Sequence, residues 1–272
     1  MVVHLAAHHS HYRPIPQAIT PALLVPMARS WSFTTSNSWQ IELAHPLINT
    51  SFNASVYDID MFDNNATTIT TLYNQGRKVI CYFSAGNYEN WRPDAGSFNN
   101  RTDLGKPLDG WAGEWWLNTY STDFRNAMLS RLDLAVTKGC DGVDPDKMDG
   151  DNDNGLGLTQ ADAVNYVNFL ADAAHARDLS VGLENAGKII PQVLGKMQWG
   201  VNEQCLQYGE CDTWQPFVEV GEPVFHIEYP DGAPNVAAQK VDSICGNDDA
   251  KGFETVLKEM SLDDWVEACP DD

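Results

Sequence analysis

The chain has 272 residues, with 38 acidic against 17 basic side chains and a formal charge of −21. Such a surface repels phosphate backbones, which excludes a nucleic-acid partner, and attracts cations. Hydrophobic residues make up 43% of the chain and aromatic ones 10%. That is enough for a full core, and no run approaches the roughly 20 apolar residues of a membrane span, so no membrane partner is expected.

Residues 1–30 carry four histidines and Pro14, Pro16, Pro21 and Pro26. With no positive-then-apolar signal segment, they read as a disordered or irregular leader. From residue 31 to 272 short β-rich runs alternate with helical patterns, the form of repeated βα units. Strands are expected at Trp39–Leu43, Ala54–Met61, Lys78–Phe83, Cys140–Pro145, Ser180–Asn185, Trp199–Gln204, Pro223–Tyr229 and Gly252–Leu257. Eight parallel strands predict an α/β fold, a single (β/α)₈ TIM-type barrel. Ser121–Lys138 carries Phe124, Met128, Leu132 and Val136 at helical spacing and stops at Gly139, and Thr159–Asp178 repeats the pattern behind a capping Thr159. The non-periodic stretch Ser84–Tyr120 follows the third strand, where barrel active sites form.

Acidic residues recur at the C-terminal ends of these strands: Asp58 and Asp60, Asp144 and Asp146, Glu184, Glu203 and Glu228. In a parallel barrel those ends share one mouth. Crowded carboxylates raise one another's pKa, which separates a protonated acid from an ionised base or nucleophile, the asymmetry that glycoside hydrolysis requires. Trp91, Trp111, Trp115, Trp116 and Tyr120 crowd the long third loop, and Tyr57, Tyr82, Trp199, Tyr208 and Tyr229 lie near other strand ends. Such rings stack on the C–H faces of sugars, or they cover the barrel as ordinary core.

Other chemistries lose support. The run from Asp149 begins like a calcium loop, but Asn154 replaces the turn glycine and Gln160 the bidentate glutamate. No G-x-S-x-G elbow, H-E-x-x-H helix or P-loop occurs. No metal or other cofactor is expected. Six cysteines and N-x-S/T triplets at Asn49, Asn53, Asn65 and Asn100 point to a secreted glycoprotein. Cys205–Cys211 and Cys245–Cys269 are the expected disulfides, while Cys81 and Cys140, inside apolar runs, read as buried thiols.

The ordered motifs Val56-Tyr-Asp-Ile-Asp-Met-Phe-Asp63, Val79-Ile-Cys-Tyr-Phe-Ser-Ala-Gly86, Trp91-Arg-Pro-Asp94, Pro107-Leu-Asp-Gly-Trp111, Gly139-Cys-Asp-Gly-Val-Asp-Pro-Asp-Lys-Met-Asp-Gly150, Asn202-Glu-Gln-Cys205 and Val224-Phe-His-Ile-Glu-Tyr229 resemble those of glycoside hydrolase family 114, the endo-α-1,4-polygalactosaminidases. The resemblance runs from about Trp39 to the C-terminus. It implies a (β/α)₈ barrel that cleaves internal α-1,4 bonds of a galactosamine-containing polysaccharide; beside it, the cysteines and N-x-S/T triplets point to secretion, the charge to a cationic polymer, and a monomer is expected. The implied catalytic pair is Asp146 and Glu203, assigned as nucleophile and general acid/base if the reaction is retaining. The residues alone leave Asp144, Asp146 and Asp149 open. Asp58, Asp60, Tyr82, Trp115, Trp116, Asp149, Asn202 and Glu228 are expected to contact sugar or tune the pair. Two positions depart from the family pattern: Lys147 stands where asparagine is usual, and Glu184 where lysine is usual. A catalytically silent carbohydrate-binding barrel and a glycosidase for a neutral galactan are the alternatives.

Overall fold

The computed structural model describes residues 38–98, 102–148 and 154–270. The leader, the Asn100 triplet and Asp149 lie outside the described residues.

In chain order the elements are β1 (Trp39–Glu42), β2 (Val56–Asp60), α1 (Ala66–Asn74), β3 (Lys78–Ser84), β4 (Asn87–Glu89), β5 (Leu104–Pro107), β6 (Glu114–Leu117), α2 (Thr122–Lys138), β7 (Gly142–Asp146), α3 (Gln160–His175) and β8 (Ser180–Glu184). There follow α4 (Ile190–Val193), β9 (Trp199–Glu203), α5 (Cys205–Tyr208), α6 (Gln215–Glu219), β10 (Val224–Glu228), α7 (Ala238–Cys245), β11 (Glu254–Leu257) and β12 (Glu267–Ala268). The eight expected strands are β1, β2, β3, β7, β8, β9, β10 and β11. They pair in that order, all parallel, and β12 lies antiparallel on β11. The fold is a (β/α)₈ barrel of the TIM type.

Side chains close the ring between β1 and β11. Trp39 Nε1 donates to the Glu254 carbonyl at 2.7 Å, and Lys258 Nζ donates to Gln40 Oε1 at 3.0 Å. Local signals set the helices. Asn65 Oδ1 accepts from the Thr67 and Thr68 N–H groups ahead of α1. Ser121 caps α2, which stops at Gly139 with φ +88°. Thr159 and Asp162 form a capping box on α3.

Two apolar layers result. Trp39, Ile41, Val56, Ile80, Trp199, Val201, Phe225, Ile227 and Val256 fill the barrel interior. A larger cluster that includes Phe124, Met128, Tyr166 and Leu170 packs the helices on its outside. Trp199 is wholly buried because β7 and β8 make room for it. A Cβ at Gly182 would lie 1.9 Å from its Nε1, and one at Gly142 2.6 Å from its ring. Trp199 is therefore core and cannot stack on sugar. Neither can Tyr57, fully buried with its hydroxyl donating to the Phe52 carbonyl at 2.8 Å.

The stretch 84–120, without period in the sequence, contains the small antiparallel sheet β4-β6-β5. Its strands of three or four residues are too short to show alternation. Cys205–Cys211 and Cys245–Cys269 are bonded. Cys81 and Cys140 are also bonded rather than free thiols. They lie 59 residues apart in sequence, but β3 and β7 are neighbours in the sheet, which brings their Cα atoms to 6.0 Å.

Candidate active site

Three successive strands, β7, β8 and β9, end on Asp146, Glu184 and Glu203, and the next residue in each case has left-handed backbone: Lys147 (φ +60°), Asn185 (φ +52°) and Gln204 (φ +65°). Side chains other than glycine rarely adopt that region, and surrounding contacts must hold them there. The Asp146 carbonyl accepts from the N–H groups of Ala85 and Gly86 at 2.8 and 3.0 Å. Gly86 is pressed so closely on the Lys147 carbonyl that a Cβ would lie 1.6 Å from its oxygen. Asn185 N–H donates to the Val201 carbonyl at 3.0 Å, and Gln204 N–H to that of Ile227 at 2.8 Å. Each acid thus ends its strand on a rigid backbone corner.

The side chains converge. Tyr82 donates its hydroxyl to Asp146 Oδ2 at 3.0 Å, and Lys147 Nζ lies 3.1 Å from the same oxygen. The ammonium also stands 5.7 Å from the centre of the Trp111 ring. Glu203 Oε1 accepts from the Tyr229 hydroxyl, and Oε2 accepts from Asn185 Nδ2 at 2.6 Å, while Asn185 Oδ1 takes the Glu203 N–H at 3.1 Å. Glu184, on the strand between them, is buried, with Oε2 unpartnered. Burial, then Asp146, Asp144 and Glu203, push its carboxyl well above the usual range, opposed by Lys147. Lys147 is held above its ordinary value chiefly by Asp146, with help from Glu184 and Glu203 against its own burial. Burial foremost, then Asp146, raises Tyr82, and burial, then Glu203, raises Tyr229, so both phenols remain donors.

The small sheet walls one side. Glu114 on β6 accepts from Asn87 Nδ2 at 2.5 Å and is raised to about 7 by burial and by Glu89 and Asp146, against Lys147 and Arg92. Trp91 and Trp111 are exposed. Trp115 and Trp116 are half-buried, with Trp115 packed 5.8 Å from the Tyr88 ring.

Several expected contacts lie elsewhere. Asp58 is fully buried beside Asp144, and burial raises both carboxyls above the usual range. Asp60 is taken by Arg92, which reaches both its oxygens at 3.0 and 2.6 Å and bonds Glu89 at 2.8 Å. Glu228 accepts from the Leu206 N–H at 2.9 Å and lies 3.0 Å from His226 Nε2. It faces away from the mouth because Phe225 and Ile227 hold the inward positions of β10. Asn202 likewise points outward and takes the Cys205 N–H at 3.1 Å. Asn185 and Glu114 were missed. Asn185 could have been found as an asparagine, a residue enriched in left-handed backbone among those other than glycine, directly after a strand-end acid; nothing in the sequence marks Glu114.

Among the described residues Cys205, Cys211 and His226 are close enough to hold a metal, but both sulfurs are committed to one disulfide. No helix among these residues is long and apolar enough to cross a membrane.

The family model for glycoside-hydrolase family GH114 matches residues 21–272. The crystal structure of Aspergillus fumigatus Ega3 in complex with galactosamine is similar at 56% identity and TM-score 0.85, covering 88% of this chain and 97% of that one. The glycoside hydrolase domain of PelA from Pseudomonas aeruginosa shares the fold at 12% identity and TM-score 0.66, over 84% of this chain and 98% of its own. No match was found among curated proteins. A barrel whose mouth gathers Asp146, Glu184 and Glu203, with this breadth of match, belongs to glycoside hydrolase family GH114 and is a glycoside hydrolase.

Proposed function

We propose that the chain is a secreted, endo-acting hydrolase of α-1,4-linked, galactosamine-containing polysaccharide, with Asp146 as nucleophile and Glu203 as general acid/base. The observation that carries this reading is the contrast between the two acids that flank buried Glu184: Asp146 faces a cation and a phenol, whereas Glu203 faces a phenol and an amide. The galactosamine held by Ega3, at 56% identity, supports the substrate class.

In the first half-reaction Glu203 gives its proton to the glycosidic oxygen as an Asp146 oxygen attacks the anomeric carbon. The C1–O bond breaks and a glycosyl ester forms on Asp146. Glu203, now ionised, is stabilised by the Tyr229 hydroxyl and Asn185 amide, and takes a proton from the water that hydrolyses the ester. Tyr82 and Lys147 hold Asp146 in place and stabilise it again as it departs. The charge of −21 concentrates a polymer bearing ammonium groups. Three disulfides suit an oxidising compartment, in keeping with secretion.

The test is incubation with partly deacetylated α-1,4-galactosaminan, followed by product sizing. A ladder of short oligomers with rising reducing ends is expected. Polymer retained on the protein with no new reducing ends would overturn the reading in favour of a silent binding barrel.

A further inference from the structure

Charge is spread unevenly over the outside of the barrel. Helices α2, α3 and α7 expose Asp123 and Asp133, Asp172, and Lys240 and Asp242. Helix α1 has no charged residue, and between residues 46 and 76 Asp63 is the one exposed residue that carries a charge. On a chain of formal charge −21 that flank is nearly bare. It also exposes apolar side chains, Ile48 at 85% and Tyr73 at 39%. A face poor in charge and partly apolar lacks the repulsion that keeps the rest of the surface from associating, so something else must cover it.

The three N-x-S/T triplets among the described residues all fall on this flank. Asn49 and Asn53 lie on the connection from β1 to β2, and Asn65 caps α1. The connection is pinned along the helix: Leu47 N–H donates to Asn64 Oδ1 at 2.8 Å, Gln75 Nε2 to Thr50 Oγ1 at 3.0 Å and Arg77 Nη1 to the Thr50 carbonyl at 2.7 Å. The three sites therefore share one continuous face. Each asparagine is exposed, and the atom that would carry a sugar is free. Asn49 and Asn65 use only Oδ1, which accepts from the Ser51 N–H at 3.0 Å in the first and from the Thr67 and Thr68 N–H groups at 2.9 and 3.0 Å in the second. The Nδ2 of all three makes no hydrogen bond among the described residues. Asn64 is the counter-case: it is buried, its Nδ2 donates to the Asp60 carbonyl at 2.9 Å, and it begins no triplet. A linkage at Asn65 Nδ2 leaves the α1 cap intact.

We infer that N-linked glycans occupy Asn49, Asn53 and Asn65 and coat this flank, doing there by bulk and hydration what charge does over the rest of the surface. Each linkage forms by attack of Nδ2 on C1 of an oligosaccharide held as the diphosphate of a lipid carrier. The N–C1 bond forms, the C1–O bond to the diphosphate breaks, Nδ2 loses one proton, and the diphosphate leaves with the electron pair. In the ring of eight strands β1 and β2 stand across from β8 and β9, so the coat lies on the far side of the barrel from Glu184 and Glu203. The inference rests on passage through a secretory compartment, as in the proposed function, and not on the assignment of the catalytic pair.

The experiment is secretion of the full chain from a yeast host behind a fused signal segment. Treatment with a peptide-N-glycosidase in heavy-oxygen water and peptide mass spectrometry then mark every formerly occupied asparagine as a labelled aspartate. Label at Asn49, Asn53 and Asn65 is expected. A second protein carries Ser51→Ala, Asn53→Gln and Thr67→Ala, which break the three triplets, keep the Asn65 cap and touch nothing at the mouth. It should melt and hydrolyse polymer like the wild type. In about 1 M salt, where repulsion between charges reaches only about 3 Å, light scattering should read it as associated while the glycosylated protein keeps the mass of one chain. A secreted, hydrolytically active wild type unlabelled at two or more of the three asparagines would overturn the inference and leave the hydrolase reading intact. A glycan-free protein that keeps the mass of one chain in that salt would overturn the role given to the coat. Labelled protein that cleaves no polymer would sustain the inference and count against the proposed function alone.

Discussion

Two arcs of the barrel mouth treat the same sequence feature in opposite ways. On the arc β10-β11-β1-β2 the strand-end acids Asp60 and Glu228 are held by partners within the protein. Asp60 takes both Arg92 nitrogens and the N–H groups of Phe62 and Asp63. Glu228, on the outer side of β10, takes Leu206 N–H and faces His226, whereas Glu42 is buried beside His45 and Lys258 with no hydrogen bond to either oxygen. On the arc β7-β8-β9 the acids receive phenols, one amide and one lysine, and Glu184 keeps an oxygen with no partner. An acid that ends a barrel strand serves structure when rigid donors saturate it. It is available for chemistry when its donors leave capacity to accept a proton or attack a carbon.

The sharpest way to break this contrast is to remove the charge on each arc. Asp146→Asn and Glu203→Gln should each lower the hydrolysis rate on the order of 10²–10⁴-fold or more, the range for general acid/base groups, while thermal melting moves little. A folded variant that retained near-wild-type turnover would remove that residue from the mechanism. On the other arc the same kind of damage should appear in stability. Arg92→Ala leaves Asp60 and Glu89, both buried, without their cation, so denaturant unfolding should register a loss of about 3–5 kcal/mol, the cost of orphaning a buried charge. If Arg92→Ala melted like the wild type, Asp60 would not be the structural acid described here.

Much of the barrel was legible before the structure. Most of the eight strands are β-branched or aromatic runs, with β7 and β8 carrying one valine each, and α2 and α3 carry clear 3.6-residue period with caps at Ser121 and Thr159. The insertion β4-β6-β5 was hidden by its short strands, and the Cys81–Cys140 bond by a 59-residue gap that only sheet order closes. Within the site, place alone put the acids at positions 146, 184 and 203 among seven strand-end candidates and left positions 144, 146 and 149 open. Face and depth could not be read so simply. Asp58 has the same parity as Asp60 but lies two residues deeper, in the dry interior. Glu228 differs from Glu203 by pointing outward, and the alternation Phe225-His226-Ile227-Glu228 does carry that signal, since its apolar members take the inner face. Partners are the least visible part, because Arg92 and Asn185 reach their acids from other elements through tertiary packing.

The buried, raised acids give the contrast a pH dependence. Glu42 and Glu114 each move from 4.5 to about 7 on folding, chiefly by burial, so between those values the folded state holds protons that the unfolded chain has released. Stability therefore falls as pH rises through that window and levels off on either side. Lys258, lowered to about 8 by burial, adds no slope there, because its cost is constant below that pH and is relieved only above it. Melting at pH 5 should accordingly lie several degrees above melting at pH 7.5, at roughly 2–4 °C per kcal/mol for a chain somewhat below this size. Glu114→Gln tests the site-side contribution, because an amide at that position never ionises. It should flatten the slope and raise the melting temperature at pH 7.5 towards its value at pH 5. A slope left unchanged in Glu114→Gln would mean that this carboxyl is ionised in the folded protein, and that the small sheet supplies a negative charge to the mouth after all.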